Sequence, residues 1–323
     1  FYVADGTFNF YDTEKKTAYQ DCYASLNAGK TLGIGNYDSA NIIHSNGKFY
    51  LLVGTSTSNR DHFYIVDAKT LYYENSAVVG ANLSGLTILN EQYGLVTGDG
   101  IRRIDLKSLN NVRIKNERLL CFYNSIIYNG KVLSNDTYKD ESKVKYYDVN
   151  ELIAAKEGEA PAVTELDIIQ KQKINFVLAK DGNVYTLESA DNGCNIVKIK
   201  NDFTLEKVFA NFQPAKGPYH SSPTIGMVAS ETENIIYLVS TDGAIYKYIL
   251  GDSDSLKAPF IAAESGVSIT APLQLNQQSG ELYVTYTEER KDESKIVVYS
   301  KDGKVLHTVD CGESVPSQIL FNN

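Results

Sequence analysis

Three features of the 323-residue chain predict an all-β fold, a seven-bladed propeller of four-stranded antiparallel blades. They are a repeat of about 46 residues, a turn-plus-tyrosine strand that opens each repeat, and a later strand that ends in Asp. The opening unit reads Asn46-Gly47-Lys48-Phe49-Tyr50, Asn129-Gly130-Lys131-Val132-Leu133 and Asp181-Gly182-Asn183-Val184-Tyr185. Related copies are Glu233-Asn234-Ile235-Ile236-Tyr237 and Ser279-Gly280-Glu281-Leu282-Tyr283, with a weaker one at Glu91-Gln92-Tyr93-Gly94. From Tyr50 through Gly94, Leu133, Tyr185, Tyr237 and Tyr283 the anchors stand 44, 39, 52, 52 and 46 residues apart, and Phe1-Tyr2 matches Phe49-Tyr50 one repeat earlier.

Each repeat then reads as four strands. A short apolar run, such as Asn41-Ile42-Ile43, Ser125-Ile126-Ile127 or Asn175-Phe176-Val177, precedes the Gly turn and supplies the innermost strand. After the anchor strand comes a hairpin, then a third strand closing on Asp12, Asp67, Asp105 or Asp148. Such an Asp opens a tight turn because its carboxylate accepts the next backbone N–H groups. A fourth strand follows. One helix is expected, at 149–158 between the third and fourth strands of blade four, with Asn150 as N-cap and Gly158 as its stop. The C-terminal Ile319-Leu320-Phe321-Asn322-Asn323 aligns with Ile42-Ile43-His44-Ser45-Asn46, so Ser317–Phe321 should supply the inner strand of blade one and close the ring. No linker-like stretch divides the chain, and residues 1–323 are read as one domain.

Composition narrows the function. Forty acidic against 31 basic side chains give a net charge of −9, which disfavours a nucleic-acid binder relying on phosphate neutralisation. No apolar run reaches the ~18–20 residues of a membrane-spanning helix. With 23 Tyr, 12 Phe and no Trp, the aromatic content suits pleated, half-buried surfaces. Cys22, Cys121, Cys194 and Cys311 form no C-x-x-C pair and fall on blades one, three, five and seven, so they are read as small apolar fillers without disulfides. The chain opens in a strand-like pattern without a basic leader, and any targeting segment is taken to have been removed.

Antiparallel strands put alternate connections on opposite faces. The first-to-second and third-to-fourth turns share one face, here the turn face. The second-to-third hairpins and the crossings between blades share the other, the loop face. Brief hairpins at Asp5-Gly6, Asp99-Gly100 and Asp242-Gly243 contrast with long ones at Ser56–His62 and Asn135–Lys143, and with the crossings Ala24–Ala40 and Phe212–Pro223. Variable loops on a rigid scaffold are where binding resides, so the site is placed on the loop face. Three prolines restrict the segment Pro214–Pro223, and Tyr219 and His220 within it offer a flat ring, a hydroxyl and a group titrating near neutrality. Tyr37, Asp38, Arg60, His62, Tyr123 and Tyr138 complete the candidate ligand-binding set. The bland reading makes Tyr219 an aromatic plug between blades and the others surface residues. A polar ring of Asn41, Ser84, Ser125, Asn175, Thr224 and Ser317 would hold water or an ion if it faced the channel. Crowding near the axis demands small residues regardless, and that reading is adopted.

The 24–31 stretch lacks the first Gly of a phosphate-binding loop, Asp252-Ser253-Asp254 lacks the rest of a calcium loop, and the four histidines form no zinc motif. No cofactor or metal is therefore expected.

The Asp/Asn-Gly turn, apolar-Tyr strand and apolar-Asp strand resemble those of YncE-like seven-bladed propellers, and the Tyr-rich, Trp-free version looks most like secreted or surface-lipoprotein propellers of Bacteroidetes. That group includes corrinoid-capturing partners of TonB-dependent outer-membrane transporters. The resemblance implies an exported, monomeric, non-enzymatic protein of the periplasm or outer-membrane surface, whose partner is a small-molecule or glycan ligand or such a transporter. The alternatives are a lyase-like propeller enzyme using His220 as base beside Tyr219, and a protein-docking scaffold.

Overall fold

The computed structural model describes the chain except residues 1, 5–6, 13, 16, 30–38, 55–60, 81–84, 99, 116–124, 136–141, 160, 172–174, 216–225, 289–292, 313–315, 317 and 322–323. Strands such as Lys48–Gly54 are apolar at nearly every position, so they bury both faces: Phe49, Leu51 and Val53 pack on one side and Tyr50 and Leu52 on the other. That demand is met by standing antiparallel sheets side by side. Among the described residues there are seven sheets, numbered here in chain order. Sheet 2 shows the pattern, with strands Ser39–Ser45, Lys48–Gly54, Asp61–Asp67 and Tyr73–Gly80 paired in sequence. The first strands of neighbouring sheets touch one another, which puts them at the centre. Seven apolar clusters fill the spaces between consecutive sheets, and the last lies between sheets 7 and 1. The molecule is an all-β propeller.

Sheet 1 takes its inner strand from the far end of the chain. Gln318–Ile319 pairs antiparallel with Tyr2–Ala4, setting Tyr2 opposite Ile319 and Val3 opposite Gln318. Ile319 and Leu320 are buried, Phe321 meets the Tyr283 ring edge-on at 4.9 Å, and Gln318 Nε2 donates to the Ile42 carbonyl of sheet 2 at 2.9 Å.

Among the described residues five sheets have four strands, and sheet 7 matches them with its inner strand in two pieces. Sheet 6, the remaining one of the seven expected four-stranded blades, is the exception: Met227–Ala229, Ile235–Val239 and Ile245–Ile249 form a three-stranded sheet, extended only by a bridge between Ile245 and Ile261. Continuing that bridge would set Pro259 opposite Lys247, and proline has no N–H for a ladder. A short 3-10 turn, Ser253–Leu256, occupies the connection instead. Proline also breaks the inner strand of sheet 7. Val267–Ile269 and Gln274–Leu275 both pair with Leu282–Glu288, in registers two residues apart on either side of Pro272.

The turn face repeats one device. Asp67 Oδ1 accepts from the N–H groups of Lys69 and Thr70 and from the Thr70 hydroxyl, at 2.7–3.1 Å. Asp105 does the same with Lys107 and Ser108, and Asp12 with Glu14 and Lys15. The turns end on Leu71 and Leu109, both buried, both at φ 59°. A left-handed non-glycine residue costs about 1–2 kcal/mol, and burying its leucine side chain against the preceding sheet offsets that by about 1.5–3 kcal/mol. In sheet 4 the device starts a helix, Val149–Ala154. Its N-cap is Asp148, which accepts from Asn150 and Glu151, rather than Asn150, because the turn-opening carboxylate already stands at the helix start. The helix ends before Gly158, capped by Arg103 of sheet 3, which donates to the Ile153 and Ala155 carbonyls. A second helix, Cys22–Leu26, lies within the crossing from sheet 1 to sheet 2, where the sequence suggests only loop. Asn27 fastens it: Nδ2 donates to the Leu71 carbonyl at 2.8 Å, and Oδ1 accepts from the Tyr73 N–H at 2.7 Å.

Candidate functional site

On the loop face, the strand ends form a platform of amides and hydroxyls. Asn135, at the end of the second strand of sheet 4, donates from Nδ2 to Gln170 Oε1 at 2.6 Å. Gln170, at the end of that sheet's outer strand, crosses to sheet 5 and donates to Thr186 Oγ1 and the Leu187 carbonyl, each at 2.9 Å. Thr186 in turn donates to the Asn175 carbonyl at 3.1 Å. The Asn175 side chain then grips sheet 6: Nδ2 donates to the Met227 carbonyl at 2.7 Å, and Oδ1 accepts from the Met227 N–H at 2.9 Å. Gln170 and Thr186 are buried. In so dry a setting a hydrogen-bonded chain is rigid, and each broken link leaves a costly unpaired group.

Two ends of this platform flank the segment that the sequence singles out. Before residue 216, Pro214 bridges Ser240, Ala215 N–H donates to the Val239 carbonyl at 2.8 Å, and Thr241 N–H donates to the Gln213 carbonyl at 3.0 Å. Gln213 also donates from Nε2 to the Asn192 carbonyl at 2.7 Å, and the side chain presses so closely on Gly193 that a Cβ there would collide with it. After residue 225, Gly226 sits at φ 66°, and a Cβ would stand 2.7 Å from Asn175 Oδ1. Glycine is required twice over, by conformation and by space. The adjoining hairpin of sheet 6 is self-braced: Ser240 donates to Asp242, which also accepts from the Ala244 N–H at 3.2 Å. The Ser240 hydroxyl, then the Ala244 N–H, hold the Asp242 carboxyl below the usual carboxylate range.

Of the expected ligand-binding residues, Tyr37, Asp38, Arg60, Tyr123, Tyr138, Tyr219 and His220 lie outside the described residues. So do Ser84, Thr224 and Ser317 of the polar ring and Cys121. His62 belongs to a strand, Asp61–Asp67, and not to the hairpin loop; it is half-buried, with its ring stacked 5.8 Å from that of Tyr64. Within the polar ring, Asn175 and Ser125 serve as links between sheets, the latter through a hydroxyl contact with Thr87. Among the described residues Cys22, Cys194 and Cys311 form no disulfide. Among the described residues no three His, Cys, Asp or Glu side chains are placed to hold a metal. The platform orients and braces; its amides and hydroxyls are already paired with one another, which suits positioning rather than proton transfer.

Sheets packed side by side, with a braced polar platform at one end, define a β-propeller of the kind that carries its variable connections on one face. The chain belongs to the family described as Domain of unknown function (DUF5074), whose sequence profile matches residues 1–322. No curated protein matches it. Among solved structures it is similar to a functionally unknown protein from Desulfotomaculum acetoxidans, with 12% identity, 96% of this chain and 93% of that one covered, and a TM-score of 0.58. It is also similar to the β-propeller domain of Cps50 (Swd1) from Myceliophteria thermophila, with 12% identity, coverage of 84% and 89%, and a TM-score of 0.51. Hsv2 of Kluyveromyces lactis gives 11% identity, coverage of 94% and 92%, and a TM-score of 0.51. At these identities the likeness is one of fold.

Proposed function

We propose that this protein is a non-enzymatic binding propeller whose ligand site lies on the loop face around residues 216–225. The observation that carries the reading is the bracing of both flanks of that segment, by the Pro214–Ser240 bridge on one side and by Asn175 on Gly226-Met227 on the other. A segment tethered at both ends and stiffened by proline loses less entropy when it engages a ligand. Tyr219 and His220 are its contact residues in this reading, with Tyr37, Asp38, Arg60, Tyr123 and Tyr138 contributing from neighbouring connections and His62 from the strand Asp61–Asp67. The same proposal takes the three-stranded sheet as a shortened seventh blade of a YncE-like ring. It takes the protein as exported and monomeric, serving a TonB-dependent uptake system. A thermal-shift screen of corrinoids, haem, oligosaccharides and metal ions tests it, since a ligand at 100 times its Kd adds about 2.7 kcal/mol. A stabilising ligand whose effect disappears in Tyr219→Ala/His220→Ala is expected. A ligand unaffected by those changes would move the site elsewhere.

A further inference from the structure

The Asp of the turn-face device is replaced in sheet 5 by a lysine. The residue that opens the third-to-fourth turn is marked by its own N–H, which donates back across the turn: Asp67 to Tyr72, Asp105 to Asn110, Lys200 to Thr204 and Ser300 to Lys304. In sheets 2 and 3 this residue is an acid that caps the turn, and in sheet 7 the Ser300 hydroxyl accepts from Asp302 and Lys304. Sheet 5 places Lys200 there; its carbonyl accepts from the Phe203 N–H at 2.8 Å, but its ammonium cannot cap the turn. Its turn is capped instead by Asp202, whose Oδ1 accepts from the Thr204 N–H at 3.0 Å and hydroxyl at 2.6 Å. The sheet 5 turn closes one residue sooner than those of sheets 2 and 3 and keeps a side-chain cap of its own, which leaves the Lys200 side chain free of any part in the turn.

A groove of about 430 Å³ opens at this turn, lined by Asn183, Lys198, Lys200, Asn201 and Asp202. The groove is shallow and open to solvent, and every residue that lines it is polar. Its walls are fixed from behind. Tyr128 OH donates to Asn201 Oδ1 at 2.6 Å and to the Gly182 carbonyl at 3.1 Å, and Asn129 Nδ2 donates to the Asn201 carbonyl at 2.9 Å. Asp181 Oδ2 takes a hydrogen bond from Tyr185 OH at 2.9 Å and an ion pair from Lys198 at 2.8 Å. Burial alone would raise the Asp181 carboxyl, but the bonds from Lys198, Tyr185 and Asn183 outweigh it and hold it charged.

The residues that line the groove keep unspent polar atoms. Asn201 Nδ2, Asn183 Oδ1 and Asp202 Oδ2 have no protein partner among the described residues, and Lys200 is held only by an exposed pair with Glu206 at 2.9 Å. The Lys198 and Lys200 ammonium groups are paired with Asp181 and Glu206, and Asp202 adds a carboxylate to the lining, so the site does not favour an anion. Donors and acceptors are both present, and hydroxyls, which both donate and accept, match that mixture. We propose that the sheet 5 groove binds a neutral saccharide, with Lys200, Asn201, Asn183 and Asp202 contacting its hydroxyls. This is a second site, distinct from the one on the loop face.

The test is an amide-resonance titration of the intact protein with maltotriose, cellotriose and chitotriose, with trigalacturonate and inorganic phosphate as charged probes. At least one neutral trisaccharide should shift the side-chain amide signals of Asn183 and Asn201. Lys200→Ser, which installs the residue sheet 7 uses at this position, should keep the melting temperature and weaken that binding about tenfold, ~1.4 kcal/mol. Lys107→Ala in sheet 3 should not weaken it, nor should Tyr219→Ala/His220→Ala on the other face. The proposal is overturned if no neutral trisaccharide moves these signals, if a charged probe moves them instead, or if Lys200→Ser binds as the parent does.

Discussion

On the turn face, sheets 1 to 3 close with the same Asp-centred turn and sheet 4 converts it into a helix cap; on the loop face, each described connection is held in its own way. The turn-face contacts are local, spanning two or three residues, and they satisfy backbone groups that would otherwise be orphaned. The loop face adds long-range contacts to local ones such as the Asp242 hairpin: Asn175 reaches 52 residues to Met227, and Gln170 reaches 17 residues to Leu187 in the neighbouring sheet. Repetition serves stability, whereas irregularity leaves room for a specific surface.

The largest effect should come from the strand pairing that both faces depend on. Deleting Pro316–Asn323 removes Ile319, Leu320 and Phe321 from their packing, at about 1.5–3 kcal/mol for each fully buried side chain, an upper bound against an extended reference. Since domains are stable by only ~5–15 kcal/mol, the truncated protein should unfold or aggregate. A monomer with an unchanged melting curve would show that this pairing is dispensable.

Next comes the ranking of the two faces. Asn175→Ala strips partners from both polar groups of Met227 and should cost about 2–3 kcal/mol in urea denaturation. Asp148→Ala removes a helix N-cap and should cost about 1 kcal/mol. The reverse order would break the comparison.

Acid should loosen the turn face. Hydrogen bonds from Thr70 hold Asp67 below the usual carboxylate range, from Ser108 they hold Asp105, and from Lys131 and then Glu151 they hold Asp148. A depressed folded-state pKa contributes stability above the unfolded value, near ~3.9, and that contribution disappears as pH falls through the folded value. The urea midpoint should therefore decline below about pH 4, and the triple Asp→Asn variant should decline less steeply. Equal slopes would exclude these carboxylates as the source.

The smallest effect is expected from a Gly-Ser insertion after Glu141, which should leave the melting temperature unchanged. A clear fall would mean that this hairpin carries structural contacts.

What the sequence displays follows the same division. Asn46-Gly47 and Asn129-Gly130 are legible because both residues adopt positive φ, which that pair tolerates, and the Asp turns are legible because their chemistry is local. The pairing of Tyr2 with Ile319 is legible through the repeat. The three-stranded sheet is not, because the repeat hides what Pro259 does to one ladder position. Nor are the clamps of Gln170 and Gln213: a glutamine at a strand end reads as solvent-facing until the neighbouring sheet is in place. Lys200 is visible in the sequence, but its significance depends on knowing that Asp67 and Asp105 occupy the same turn position.

The most direct test of this division is to measure Kd and melting temperature together, for the ligand that the thermal-shift screen identifies, in Tyr219→Ala/His220→Ala and in Asp67→Ala/Asp105→Ala. The loop-face pair should weaken binding and leave the melting temperature nearly unchanged, while the turn-face pair should lower the melting temperature and leave Kd unchanged. The opposite pattern, with stability lost on the loop face and affinity lost on the turn face, would contradict it.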